Sequence, residues 1–159
     1  MATLLITYYS RSGNTAKMAE YVAEGARSVA GVEVQVRPVD EVKPADLLEV
    51  DGVAMGSPVY YGTMAAELKA LLDESVAHHG RLDGKVGAAF ASSGGPGGGN
   101  ETTIVSILEA LLIHGMIVQG DPQGDHYGPI AVGAPDQRSR DECLRHGRRV
   151  AELVKRTSG

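Results

Sequence analysis

Three short segments of this 159-residue chain combine residue types that can do chemistry. The first is Ser10-Arg11-Ser12-Gly13-Asn14-Thr15, with three side-chain hydroxyls in six residues just before a helical pattern. Hydroxyls and free backbone N–H groups at the positive end of a helix form an anion site that suits phosphate without a lysine. A helix cap alone would need only Ser12 or Asn14. The loop lacks Gly-Lys-Ser/Thr, so it is not a Walker A loop, and the chain has no Gly-x-Gly-x-x-Gly dinucleotide fingerprint.

The second segment, Ser57-Pro58-Val59-Tyr60-Tyr61-Gly62-Thr63, holds adjacent tyrosines in a chain with no tryptophan and one phenylalanine. Tyr60 or Tyr61 offers a face on which a planar ring can stack, the alternative being one tyrosine packed under the loop and one on the surface. The third segment is Ser92-Ser93-Gly94-Gly95-Pro96-Gly97-Gly98-Gly99-Asn100-Glu101-Thr102. Five of its six positions from 94 to 99 are glycine, which leaves backbone N–H and C=O groups to meet a ligand edge directly. A flexible linker is the other use of such a run, but it would be out of place inside a compact α/β domain.

The segments between these loops must position them. Thr3 to Tyr9 is nearly continuously apolar, a strand buried on both faces. Asn14 to Ala30 follows as a helix, Val32 to Val36 as a strand, and Val50 to Met55 as a third strand. Met64 to Val76 reads as a helix, Lys85 to Ala91 as a fourth strand, and the run around Ile104 to Leu112 as another helix. Met116 to Val118 begins a fifth strand, which Pro129 to Val132 continues after an excursion; Asp136 to Lys155 is the last helix. Alternating strands and helices with right-handed crossovers give one domain over residues 1–159, a doubly wound parallel sheet with helices on both faces. Ligands bind such sheets at the C-terminal strand ends, where all three loops fall. A phosphate cradle, a ring-stacking loop and a backbone-only loop on one edge together suit a mononucleotide with an extended polar ring, FMN.

Composition excludes other classes. The hydrophobic share is 43% and the charged share 22%, as in globular domains and unlike disordered ones. A net charge of −5 disfavours nucleic acid. No apolar run approaches the roughly 20 residues of a membrane span, and the N-terminus has no basic segment of a secretory signal. Cys143 is the single cysteine, which excludes an internal disulfide and fits a cytoplasmic location. It falls on the apolar stripe of the last helix and reads as core. His78 and His79 are adjacent, cannot share one helix face, and give no metal site. The arginines at 138, 140, 145, 148 and 149 are interspersed with acids and read as a solvated face.

At these loops the sequence resembles the flavodoxin-like FMN proteins. Ser10, Ser12, Gly13 and Thr15 match their phosphate signature, Thr/Ser-x-Thr/Ser-Gly-x-Thr. More narrowly, Tyr8-Tyr9-Ser10, Gly56-Ser57-Pro58, Tyr61-Gly62, Gly97-Gly98-Gly99-Asn100-Glu101 and His114-Gly115-Met116 make the chain similar to the NAD(P)H:quinone oxidoreductases of the tryptophan-repressor-binding-protein family. The resemblance implies a five-stranded sheet in the order 2-1-3-4-5. It implies FMN with its phosphate on Ser10 to Thr15, its ring between Val59 to Gly62 and Gly94 to Gly99, and His114 touching the flavin. It also implies NAD(P)H as donor, a quinone-type acceptor, and no catalytic protein nucleophile, because the flavin carries the redox chemistry. The chain departs from that family in lacking its extra segments between the central strands and helices, and in having no tryptophan near Ala77 to Arg81. The alternative is a flavodoxin, a one-electron carrier docking on redox proteins. A homo-oligomer that covers the open flavin edge is expected by analogy.

Overall fold

β1 (Ala2–Tyr8) shows why the sheet is central: Leu4 and Ile6 bury on one face and Leu5 on the other. The same alternation continues in β3 (Gly52–Pro58) and β4 (Val86–Ser93), with Ala54, Ala88 and Phe90 facing the first core and Val53, Met55 and Ala89 the second. Strands buried on both sides read as unbroken apolar runs because each face has its own layer of helices. A computed structural model describes all 159 residues. α1 (Asn14–Arg27) and α4 (Gln137–Thr157) cover one face; α2 (Ala66–Glu74) and α3 (Asn100–Ile113) cover the other.

β2 (Val32–Pro38) pairs with β1, and the strands run β2-β1-β3-β4-β5, all parallel. The expected fifth strand is present in two pieces. β5 (Ile117–Val118) pairs with Val86 and Gly87 at the start of β4, and β6 (Ile130–Val132) pairs with Ala91 to Ser93 at its end. The excursion between them rises along β4 toward the loop edge. Two 3₁₀ turns, Val39–Glu41 and Pro44–Leu48, connect β2 to β3, and a third, Ser75–His78, extends α2. Cys143 is fully buried, as expected, and burial pushes its thiol up to about 12.

The arginines of α4 form the expected solvated face in part: Arg138 and Arg148 are exposed, while Arg140, Arg145 and Arg149 are half-buried. Arg138 pairs with Asp125, Arg140 with Glu24, and Arg145 with Asp121 at 2.7 Å; Arg149 donates to the Gly120 carbonyl. Three of them bind the excursion to α4, which half-buries Asp121 and Asp125 although most of the loop stays exposed. The hydrogen bond from Arg145 holds Asp121 at about 2, far below an ordinary carboxyl.

His146 lies beneath the same loop. Its Nε2 is enclosed without a hydrogen-bond partner, and burial lowers its pKa from 6.5 to about 4. Between these values the unfolded chain holds a proton that the folded chain does not, so folding loses stability as pH falls from 6.5 toward 4. Denaturant titrations at pH 7.5 and pH 5 should show a loss of about 2 kcal/mol from this residue. His146→Gln should remove that part of the pH dependence; an unchanged pH dependence would contradict the assignment.

Candidate cofactor site

α1 begins immediately after β1, and its first turn is left open. Gly13 is the N-cap, with φ +99°, and no side chain caps the helix. The backbone N–H groups of Asn14, Thr15 and Ala16 therefore have no intrahelical acceptor, and those of Arg11 and Ser12 make no hydrogen bond within the chain either. Ser10 Oγ accepts from the Gly13 N–H at 3.1 Å and fixes the turn. Side chains of Arg11 and Ser12 are exposed. Thr15 is buried, its Oγ1 2.8 Å from Ser92 Oγ at the end of β4. That bond ties the first loop to the third.

The second loop is a two-residue reversal. Tyr60 and Thr63 exchange backbone hydrogen bonds of 3.0 and 3.2 Å, with Tyr61 at φ +49° and Gly62 at φ +80° between them. Positive φ at both central positions defines a type I′ turn, whose first position usually holds Asn, Asp or Gly. Tyr61 is the one non-glycine residue of the chain with positive φ, and its side chain is fully exposed. Tyr60 is half-buried and meets Tyr9 edge to face, ring centroids 6.1 Å apart. Val59 N–H donates to the Ser92 carbonyl at 2.7 Å.

The third loop leads from β4 into α3, capped by Gly99 at φ +114°. A Cβ at Gly99 would stand 3.2 Å from both Gly62 Cα and Val59 Cγ1, so glycine lets the second and third loops touch. The Thr102 hydroxyl donates to the Gly62 carbonyl at 2.7 Å and reinforces that contact. Asn100 Nδ2 donates to Ser93 Oγ at 2.8 Å, while Asn100 Oδ1 is buried without a donor. A Cβ at Gly94, Gly95 or Gly97 would meet nothing within 4 Å, so this stretch borders open space. A cavity of about 390 Å³ joins the loops, lined by Ser10 to Ser12, Thr15, Val59, Tyr60 and Ser93 among others.

The residue chemistry fits FMN. Five unpaired N–H groups, the Ser12 hydroxyl and Arg11 form an all-donor surface matched to an acceptor-only phosphate. The backbone of Gly94 to Gly97 and the Tyr60–Tyr61 turn leave room for a flat, hydrogen-bonding ring beside them. The expected residues of all three loops thus lie on one edge of the sheet.

His114 does not. It ends α3, and α3 runs antiparallel to the strands, so its 14 residues carry the chain about 20 Å from the loop edge to the opposite edge. There His114 is buried, with Nε2 2.7 Å from Ser75 Oγ and its ring 6.1 Å from His79. Burial lowers its pKa, with His79 adding to the shift. Within one chain it is a packing residue and makes no contact with the loop cluster. Conversely, Ser92, Tyr9 and Thr102 complete the cluster and were not among the expected cofactor residues. Ser92 and Thr102 are the two ends of the third segment and Tyr9 belongs to the Tyr8-Tyr9-Ser10 match, so each lay beside the expected residues in the sequence.

The sequence profile described as "Flavodoxin domain" matches residues 5–105. A protein of Aquifex aeolicus named "Flavodoxin" is 44% identical, the alignment covering 97% of this chain and 88% of that one. An Archaeoglobus fulgidus protein named "NAD(P)H dehydrogenase (quinone)" is 34% identical over 98% of this chain and 99% of its own. Among solved structures, a flavodoxin from the domain Archaea superposes with a TM-score of 0.78 at 34% identity, covering 96% of this chain and 99% of that one. The matched profile spans all three loops and about two thirds of the chain, and the relatives align over nearly all of it, so the chain belongs to the flavodoxin family.

Proposed function

We propose that this protein binds FMN on the three-loop edge and passes electrons from NAD(P)H to a quinone-type acceptor. The observation that carries the reading is the uncapped first turn of α1, whose free N–H groups open on the same cavity as the glycine-rich backbone. Bound FMN would supply the relay between a two-electron nicotinamide donor and the acceptor. The protein's residues have other tasks. The N–H groups of Arg11, Ser12 and Asn14 to Ala16 and the Ser12 hydroxyl would anchor the phosphate, and the Thr15–Ser92 bond keeps that anchor in register with β4. The Gly94 to Gly99 backbone and the Tyr60–Thr63 turn would border the ring, and backbone donors there would stabilise negative charge on it. No protein nucleophile is needed, and no group of side chains is arranged to hold a metal ion. The quinone dehydrogenase name of a relative aligned over nearly the whole chain supports the donor and acceptor classes. No helix is long and apolar enough to cross a membrane.

A second reading, a one-electron carrier docking on a redox protein, is favoured by the relative named flavodoxin and by the fully exposed Tyr61 on the rim. One anaerobic experiment separates the two. FMN-loaded protein is mixed with NADH or NADPH while the oxidised flavin band is followed. The proposal expects rapid bleaching and its reversal by a benzoquinone. No bleaching with either nucleotide would overturn it in favour of the carrier.

A further inference from the structure

Asn100 opens α3, a place where an asparagine side chain ordinarily meets water or caps the helix. Here it is only 4% exposed and caps nothing, the N-cap being Gly99. Its Nδ2 donates to Ser93 Oγ at 2.8 Å and, more distantly, to the Ala131 carbonyl at 3.4 Å. Turning the amide over would set Oδ1 against that carbonyl, acceptor against acceptor, so its orientation is fixed although Oδ1 is left without a donor. Because Ser93 Oγ accepts from the amide, its own proton goes on to the Gly95 carbonyl, 2.9 Å away. The Gly98 N–H reaches the same carbonyl at 3.2 Å. A relay therefore runs one way, from Asn100 through Ser93 to Gly95. It leaves the loop sorted by polarity. Both lone pairs of the Gly95 carbonyl are used inside the protein. Pro96 has no N–H, and the N–H groups of Gly94, Gly95, Gly97 and Gly99 make no hydrogen bond within the chain. A Cβ on Gly98 would stand 2.9 Å from the Gly95 oxygen and 3.3 Å from Ser93 Cβ, so the loop is folded closely over Ser93.

We propose that Asn100 is a positioning residue: through the Ser93 hydroxyl it holds the Gly95 carbonyl inward, so that the glycine-rich loop offers a bound ring its free N–H donors and not that acceptor. The inference rests on the reading above that a flavin ring lies against this loop. Two-electron reduction puts negative charge on such a ring, and donors fixed in place beforehand stabilise that charge without reorganisation. A carbonyl released toward the ring would repel it instead. The bond to Ala131 roots the relay in β6 as well as β4, so the loop is braced by two strands.

The test uses three uncharged variants. Ser93→Ala removes the middle of the relay; Asn100→Leu removes its start at similar size, and Asn100→Ala removes it with no added bulk. In flavin-free, isotope-labelled protein the Gly98 amide should exchange about tenfold faster in each variant than in the parent, because its acceptor is no longer held. In FMN-loaded protein the preference for reduced over oxidised flavin should fall about tenfold, which lowers a two-electron midpoint potential by about 30 mV. Ser93→Ala combined with Asn100→Ala should be no worse than Ser93→Ala alone, since both act through one relay. A merely structural residue would lower the melting temperature and leave the midpoint where it was. Unchanged Gly98 exchange, faster exchange with an unchanged midpoint, or a double variant clearly worse than Ser93→Ala would overturn the proposal. A parent protein that binds no FMN would overturn the flavin reading, and Gly98 exchange in the flavin-free variants would then decide by itself whether Asn100 holds the loop.

Discussion

Ser12→Ala combined with Thr15→Val should weaken FMN binding by a factor on the order of 10²–10⁴. Each hydrogen bond to a charged group contributes about 1.5–3 kcal/mol, and two would be lost. The residues act differently. The Ser12 hydroxyl is exposed and without a partner in the chain, so its removal takes away a phosphate donor and little else. The Thr15 hydroxyl is buried against Ser92, so its removal also frees the first loop from β4 and leaves Ser92 Oγ without that partner. Thr15→Val should therefore lower stability by about 1–3 kcal/mol in addition to its effect on affinity. Titration of flavin fluorescence measures the affinity and urea unfolding the stability. An affinity equal to that of the parent protein would remove the phosphate from this loop.

The second large effect falls far from the site, where α1 and α4 cross. A Cβ on Gly147 would stand 1.9 Å from the Val22 carbonyl oxygen, and one on Gly25 would stand 2.0 Å from that of Leu144. These contacts are with backbone, so no side-chain rotation relieves them. The helices must separate along the face that buries Met18, Val22, Cys143 and Val150. Gly147→Ala should cost about 3 kcal/mol or more, at the upper end of overpacking in cores. For a chain of this length that lowers the thermal midpoint by roughly 6–12 °C. The N-terminus of α1 carries the phosphate loop, so flavin affinity should fall with stability. A melting temperature equal to the parent's would show that the helices do not meet through these glycines.

The sheet was legible because β1, β3 and β4 are apolar on both faces and are punctuated by Gly, Pro and Ser. The split fifth strand was also legible, since Met116 to Val118 and Pro129 to Val132 are short apolar runs on either side of a polar excursion. The 3₁₀ turns between Val39 and Leu48 were not, because that stretch mixes a proline, acids, a lysine and aliphatics without any period. The site's loops declared themselves by composition. Their mutual arrangement did not, since the Thr15–Ser92 bond joins residues 77 apart in sequence. Nor did sequence show that Tyr61 would occupy a left-handed conformation usually left to Asn or Gly. Within one chain His114 lies at the end of α3 away from the loops: proximity to a glycine-rich motif along the chain says nothing about which end of the intervening helix faces a ligand. The arginines of α4 looked solvated because their partners, Asp121 and Asp125, belong to a loop whose path no local pattern records.

The claim on which the rest depends is that the loop edge holds a flavin by its phosphate. The most direct measurement is a calorimetric titration of the flavin-free protein with FMN and, separately, with riboflavin, which lacks the phosphate. The account predicts one FMN per chain and riboflavin weaker by on the order of 100-fold or more, since several charge-assisted hydrogen bonds vanish with the phosphate. Equal affinity for the two flavins, or binding of neither, would contradict it.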